Sequence, residues 1–338
     1  MKQGIIARFK NRFAPKAIIL MYHRIGNPES DVWELAVSPE NFEQHLKLLK
    51  KWGNVVTVRQ LVDDLYSGRL KKNSIAITFD DGYIDNFTTA KPLLEKYHLP
   101  ATFFITSGQI ESNKEFWWDE LERIFLVTPV LPDVFFLTIK EATIEFKLAG
   151  EVSLTDELLI KHRSWRACST APPTLRSQLY YKVWEQLKPL PVAEQEACLQ
   201  TIRKWAGLPS ELRPDYRVMS ASELKLLASN DLFTIGAHTV SHPALAHHDR
   251  AFQIAELRDN RRYLSELANR QIDLLAYPYG NYNGYTLEAA AATCFRAAFT
   301  TEEKTCVVGS RIYQLGRLQV KNVSAVKLSE QLKRVKRR

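Results

Sequence analysis

Two acids stand side by side, Asp80 and Asp81, directly after the apolar run 74–79 and before Gly82. Two histidines four residues apart, His238 and His242, directly follow a second apolar run, 233–237. Each pair alone has an ordinary explanation. Asp and Gly end many strands as turn formers, and an HxxxH pair recurs by chance. Together they point to chemistry. Neutral imidazoles are favoured ligands of Zn²⁺ and related divalent ions, and an i,i+4 pair can face one point if its segment makes a helical turn. Two imidazoles and one carboxylate leave positions open for water and substrate, as a catalytic metal requires. Adjacent side chains on an extended segment point in opposite directions, so bringing both acids into one site needs a bend.

These residues need strands to carry them. Short apolar runs rich in β-branched residues alternate with helical patterns, as expected of parallel strands joined by crossover helices, an α/β chain. The pattern predicts strands at 17–22, 74–79, 101–106, 233–237, 273–278, 296–300 and 315–320, and helices near 39–52, 57–67, 86–97, 221–229, 250–269 and 285–293. Ser38 before Pro39 is a helix N-cap followed by proline at the first helical position. Catalytic groups of such folds collect where strands end. Residues 109–220 break the rhythm with Trp117, Trp118, Trp165, Trp184 and Trp205, a strand pair around 134–148 and helical patterning near 174–206, and read as one insertion. The run Phe116–Glu120 that opens it could wall a binding groove or staple the insertion's core.

The segments TFDDGY (78–83), HTVSHPAL (238–245) and AYPYG (276–280), in that order, resemble the motifs of the polysaccharide deacetylase family, whose catalytic unit is the NodB homology domain. The resemblance covers roughly 17–108 and 221–320. It implies a distorted (β/α) barrel formed by 17–108 and 221–325; beside it, 109–220 reads as inserted, 1–16 as a basic amphipathic segment and 326–338 as a basic tail. It implies that Asp81, His238 and His242 hold the metal, with Zn²⁺ first among the candidates, and that Asp80 is the general base. Pro243 and Leu245 would fix the loop after the ligands. Tyr277, Pro278 and Tyr279 would wall the groove, and the Tyr83 backbone amide would assist at the oxyanion. Many family members carry an arginine shortly before that proline to bond the base; Ala276 and Tyr277 stand there in this chain, and Arg317 is the candidate substitute. His23, in the run Tyr22-His23, resembles the general acid of the branch that includes poly-N-acetylglucosamine deacetylases, and no histidine follows His248 to take that role. His45, His98, His162, His247 and His248 read as surface or structural residues.

The resemblance therefore implies a metal-dependent hydrolase that removes N-acetyl groups from an N-acetylhexosamine-containing glycan or glycan precursor. An O-acetyl sugar esterase and a catalytically silent glycan-binding protein are the alternatives; retention of both acids and both histidines speaks against silence. A net charge of +8 would suit nucleic acid, but no reader motif accompanies it, so no nucleic-acid partner is expected. Much of the excess sits at the two ends. Ile5, Ile6, Phe9 and Phe13, interleaved with Arg8, Lys10 and Arg12, form one apolar helical face that could lie on an anionic membrane surface. Cys168, Cys198, Cys294 and Cys306 show neither CxxC spacing nor a disulfide framework and read as buried thiols. No secretory signal pattern and no run of roughly 18 apolar residues is present, which favours a cytoplasmic location, peripheral at the inner membrane face if the amphipathic segment binds there.

Overall fold

A computed structural model describes residues 14–112 and 114–337. In chain order the strands are β1 (Ile18–Tyr22), β2 (Arg24–Ile25), β3 (Ala36–Val37), β4 (Asn54–Val55), β5 (Ser74–Phe79), β6 (Ala101–Ile105), β7 (Val134–Ile139), β8 (Ala142–Lys147), β9 (Phe233–Ala237), β10 (Leu274–Ala276), β11 (Ala297–Phe299) and β12 (Leu318–Gln319). The main sheet is parallel and runs β11-β10-β9-β6-β5-β1-β12, with β4 also paired to β5. Its two ends meet through one parallel bridge, Phe299 to Leu315, where the Leu315 amide donates to the Ala298 carbonyl. The curled sheet with its helices forms the distorted (β/α) barrel that was expected.

Strands β1, β5 and β6 are buried along their whole length, which is why they read as unbroken apolar runs rather than alternating ones. Helices close around them with local signals visible in the sequence. Ser38 accepts from Asn41 N ahead of helix Pro39–Trp52, Thr57 caps Val58–Ser67, and Ser220 and Glu223 form a capping box on Ala221–Ala228. Parallel pairing sets Tyr22 beside Phe79 and Ala237 beside Ile105 and Leu275, so the residues that follow β1, β5, β9 and β10 emerge on one rim.

The segment that breaks the rhythm carries a second apolar core around Phe125, Phe135, Trp165, Tyr180 and Leu199, covered by helices Leu175–Leu187 and Val192–Ala206 and the antiparallel hairpin β7–β8. It meets the barrel at Tyr83, which bridges Val218 and whose hydroxyl donates to Asp119 at 2.7 Å.

Three expectations need correction or fall outside view. The expected basic tail is, over Ala325–Arg337, a helix whose Leu328, Leu332 and Val335 enter the barrel core while Lys327, Lys333, Arg334 and Arg337 are exposed and Lys336 is half-buried. Of the cysteines only Cys198 and Cys306 are buried; Cys168 and Cys294 are exposed, and all four are free thiols. The apolar face drawn on residues 5–13 lies outside the described residues. No helix among the described residues is long and apolar enough to cross a membrane.

Candidate metal and catalytic site

The bend that two adjacent acids require is built at Asp81. Its φ is 72°, that of Gly82 is 84°, and the Gly82 amide donates to the Asp80 carbonyl at 2.9 Å. An i→i+2 bond around a residue with that φ is the pattern of a γ-turn, a strained form that reverses the chain within three residues. Both carboxylates are thereby buried at the same rim.

Asp80 is gripped by Arg317, whose two terminal nitrogens reach its two oxygens at 2.7 and 2.6 Å. Arg317 is itself fully buried and spends its remaining donors on the Thr300 carbonyl and the Thr78 hydroxyl. Burial alone would raise the Asp80 pKa, but the Arg317 guanidinium outweighs it and holds the carboxyl below its ordinary value. A two-pronged pairing also fixes the plane of the carboxylate.

Asp81 Oδ1 lies 3.3 Å from His238 Nε2 and 3.3 Å from His242 Nε2. His238 Nδ1 is 2.8 Å from the Ala276 carbonyl, which can only accept, so Nδ1 carries the proton and a neutral ring turns the Nε2 lone pair toward Asp81. A carboxylate oxygen and two ring nitrogens converge here, and neither Asp81 Oδ1 nor His242 Nδ1 has a hydrogen-bond partner among the described residues. Ligand atoms from these three buried residues lie within 4.8 Å of one another. A buried carboxylate oxygen beside two imidazole nitrogens, with polar atoms left unpartnered, fits a bound cation. Burial opposes a positive charge on His238, but Asp80 and Asp81 outweigh it and hold the ring's pKa above its ordinary value; for His242 burial wins and the pKa falls.

The loop bearing both histidines is held by helix Arg250–Ala268. Glu256 accepts from the amides of Val240 and Ser241 at 2.9 Å each, and Asn260 donates to the Thr239 carbonyl at 2.6 Å while its oxygen accepts from His238 N. These side chains hold the loop that carries the two histidines. Their i,i+4 spacing puts them on one helix face but does not say which loop that face meets.

The site opens into a cavity of about 230 Å³ bordered by His23, Asp80, Asp81, His238, His242 and Tyr279. His23 follows β1 and is half-buried there, its own carbonyl accepting from Asn86. Tyr279 enters the wall through a left-handed backbone, φ 58°, and packs on the His242 ring with centroids 4.6 Å apart. Tyr277 does not reach the cavity: its hydroxyl donates to the Tyr313 carbonyl in the core. Pro278 is buried in the turn that separates the two tyrosines and does not line the cavity either. The Tyr83 side chain is committed to Asp119 and Trp118. The two hydrogen bonds of its bridge to Val218 are made by Ile84 N and Met219 N, so that bridge leaves the Tyr83 amide unused.

The rest of the wall comes from outside the motifs. Trp118 lies tilted against His242 at 4.6 Å, and Trp33 and Trp184 lie 4.3 Å apart, centroid to centroid. Met21, Leu35, Lys188, Cys168, Thr301 and Gln319 complete it. Of the aromatic run that opens the inserted segment, Trp118 therefore borders the cavity, while Phe116 and Trp117 lie in the second core.

Comparison with known proteins shows what this chain is similar to. Residues 67–126 and 201–298 match the model of the family described as polysaccharide deacetylase. The YxkH protein of Bacillus subtilis is 23% identical over 317 residues, covering 93% of this chain and 75% of its own. The poly-beta-1,6-N-acetyl-D-glucosamine N-deacetylase of Staphylococcus aureus is 29% identical over 107 residues, a match that spans 28% of this chain and 37% of that relative. Among solved structures, the Streptococcus pyogenes deacetylase PplD in complex with acetate superposes with a TM-score of 0.59 at 20% identity, covering 94% of this chain and 98% of that one. IcaB from Ammonifex degensii superposes with a TM-score of 0.58 at 17% identity, covering 94% and 97%. At such identities the structures speak for the shared fold.

Proposed function

We propose, on the premise that this chain carries the polysaccharide deacetylase domain, that it hydrolyses N-acetyl groups from an N-acetylhexosamine-containing glycan or glycan precursor with the help of a divalent metal ion. The observation that carries the reading is the convergence of Asp81, His238 and His242 beside an arginine-clamped Asp80 in an open, aromatic-walled cavity. Asp81, His238 and His242 are the residues that would hold the ion, and two imidazoles with one carboxylate favour Zn²⁺. Such an ion polarises an amide carbonyl and makes water a better nucleophile near neutral pH.

The remaining work falls to the chain's own side chains. An amide resists attack until a proton is taken from water, charge on the carbonyl oxygen is met, and the leaving nitrogen is protonated. Asp80 takes the water's proton; Arg317 keeps its carboxylate ionised and aimed. The amide of Tyr83, next to Gly82 in the turn, donates to the developing oxyanion. His23, across the cavity at the end of β1, protonates the departing sugar nitrogen. Trp33, Trp118 and Trp184 offer ring faces for the apolar side of a sugar. The S. aureus relative, by its name, deacetylates poly-beta-1,6-N-acetyl-D-glucosamine, which supports an N-acetylglucosamine polymer as the first substrate to try.

The test is acetate release from N-acetylglucosamine oligomers by the metal-loaded protein, before and after chelation and with metal restored. Release that stops with chelator and returns with metal is expected. Undiminished release from a metal-free protein, or release only from O-acetylated sugars, overturns the reading.

A further inference from the structure

Lys188 borders the same cavity, and its ammonium has no oxygen partner among the described residues. Six lysines among the described residues are half-buried, and five have an oxygen partner. Lys16 donates to the Lys336 carbonyl, Lys47 pairs with Glu43, Lys91 with Glu95, Lys321 with Glu34, and Lys336 donates to the Asn73 side chain. The Lys188 ammonium instead lies over two ring faces, 4.8 Å from the centroid of Trp184 and 4.7 Å from that of Tyr279. Burial depresses its pKa, and the opposing influences come only from Cys168 and Glu185. Its position just beyond helix Leu175–Leu187 gives the ammonium the favourable end of the helix dipole, but its backbone amide, not its side chain, makes the capping bond to Trp184 O. An ammonium brought out of bulk water without an oxygen to receive its donors is an incomplete site.

Its place defines what would complete it. Tyr279 packs on His242, so Lys188 stands two ring contacts from a residue of the candidate metal centre, on the side of the cavity formed by Trp33 and Trp184. A sugar whose acetamido group sits at that centre would have its neighbour along the chain, or its own anomeric substituent, under that aromatic wall. Resting on the deacetylase reading, we propose that Lys188 is a specificity-determining residue that receives an anionic oxygen of the substrate, a carboxylate or phosphoryl group carried next to the N-acetylhexosamine being deacetylated. The aromatic faces hold the ammonium in place ahead of binding, which lowers the ordering cost of the new ion pair.

The experiment compares three substrates of matched length on the metal-loaded full chain: a neutral N-acetylglucosamine oligomer, one with a uronic acid beside the scissile residue, and one with a phosphoryl group there. Turnover and calorimetric binding are measured on each. A charge-assisted hydrogen bond predicts about tenfold or more in kcat/KM and in affinity for one anionic arm over the neutral oligomer, and which arm wins separates carboxylate from phosphoryl recognition. In Lys188→Gln the anionic-to-neutral ratio should collapse toward one, and Lys188→Arg should keep it. A wild-type ratio of one or less, or a ratio unmoved in Lys188→Gln, overturns the proposal. Turnover without anionic preference leaves deacetylation standing and removes the anion site. Binding preference without turnover does the reverse.

Discussion

Buried acids meet opposite fates on the two sides of the interface between barrel and insertion. At the barrel rim, Asp80 and Asp81 are nearly inaccessible, yet both are held below the ordinary carboxylate range, Asp80 by Arg317 against burial and Asp81 by His238 and His242 against burial. In helix Trp117–Glu122 of the insertion, burial dominates: Asp119 is pushed up to about 7 despite Arg24 and the Tyr83 hydroxyl, and Glu122 up to about 8 with Asp31 and Asp119 adding to the rise. Equal burial therefore does not mean equal chemistry. A carboxylate given donors or a cation stays charged and can take a proton; one left mostly to desolvation keeps its own and serves packing.

The sharpest way to break this contrast is to remove the charge at the rim. Asp80→Asn is nearly isosteric and leaves Asp81, His238 and His242 in place, so metal content should hold while turnover falls about 10²–10⁴-fold. Turnover near wild type with metal bound would show that another group activates the water. Next in size, Arg317→Met leaves Asp80 buried without its partner, and denaturant unfolding should show a loss of about 3–5 kcal/mol. A loss under about 1 kcal/mol would mean that the pair contributes little to holding the rim.

The insertion's acids should respond to pH in the opposite direction from acids held charged. Their folded pKa values lie above the unfolded ones, so the native state keeps protons that the unfolded chain has released. The stability this supplies is fully present below about pH 4, the unfolded carboxyl range, and is lost as pH rises through about 7 and 8. Each group contributes at most about 1.4 kcal/mol per pH unit within that window. Melting curves from pH 5 to 9 should therefore fall, and Glu122→Gln, a neutral mimic of the protonated acid, should flatten the slope with little effect near pH 5. A wild-type curve that rises over this range would sink the assignment.

How far these regions could be foreseen depended on how local their causes are. The barrel strands were legible because a strand buried on both faces writes itself as an apolar run, and the bend at Asp81 because two adjacent acids cannot otherwise share a site. Helix Arg250–Ala268 was legible as a helix, but Glu256 and Asn260 as supports of the histidine loop were not, since nothing in their spacing says which loop they face. Trp33, Trp184 and Lys188 come together only when the insertion folds over the barrel mouth, a contact between segments about 150 residues apart in sequence. Tyr277 and Tyr279 share one motif yet face opposite ways, because the left-handed turn at Tyr279 redirects the chain. The last helix was hidden by its own charge: Lys333, Arg334, Lys336 and Arg337 draw the eye, while the spacing of Leu328, Leu332 and Val335 is the helical signal.

Four residues of the site, Asp81, Thr239, His242 and Tyr279, hold non-glycine backbones at φ of 72°, 67°, 56° and 58°. Each such residue withholds on the order of 1–3 kcal/mol from the fold, and Thr239, being β-branched, fits that region worst. Glycine or asparagine would relax all four positions while deleting the very groups that meet there. A lineage of this chain released from its reaction would thus be drawn by stability alone toward those two residues at these four places, and would carry that signature of lost use while its strands, caps and apolar cores still spelled the same barrel.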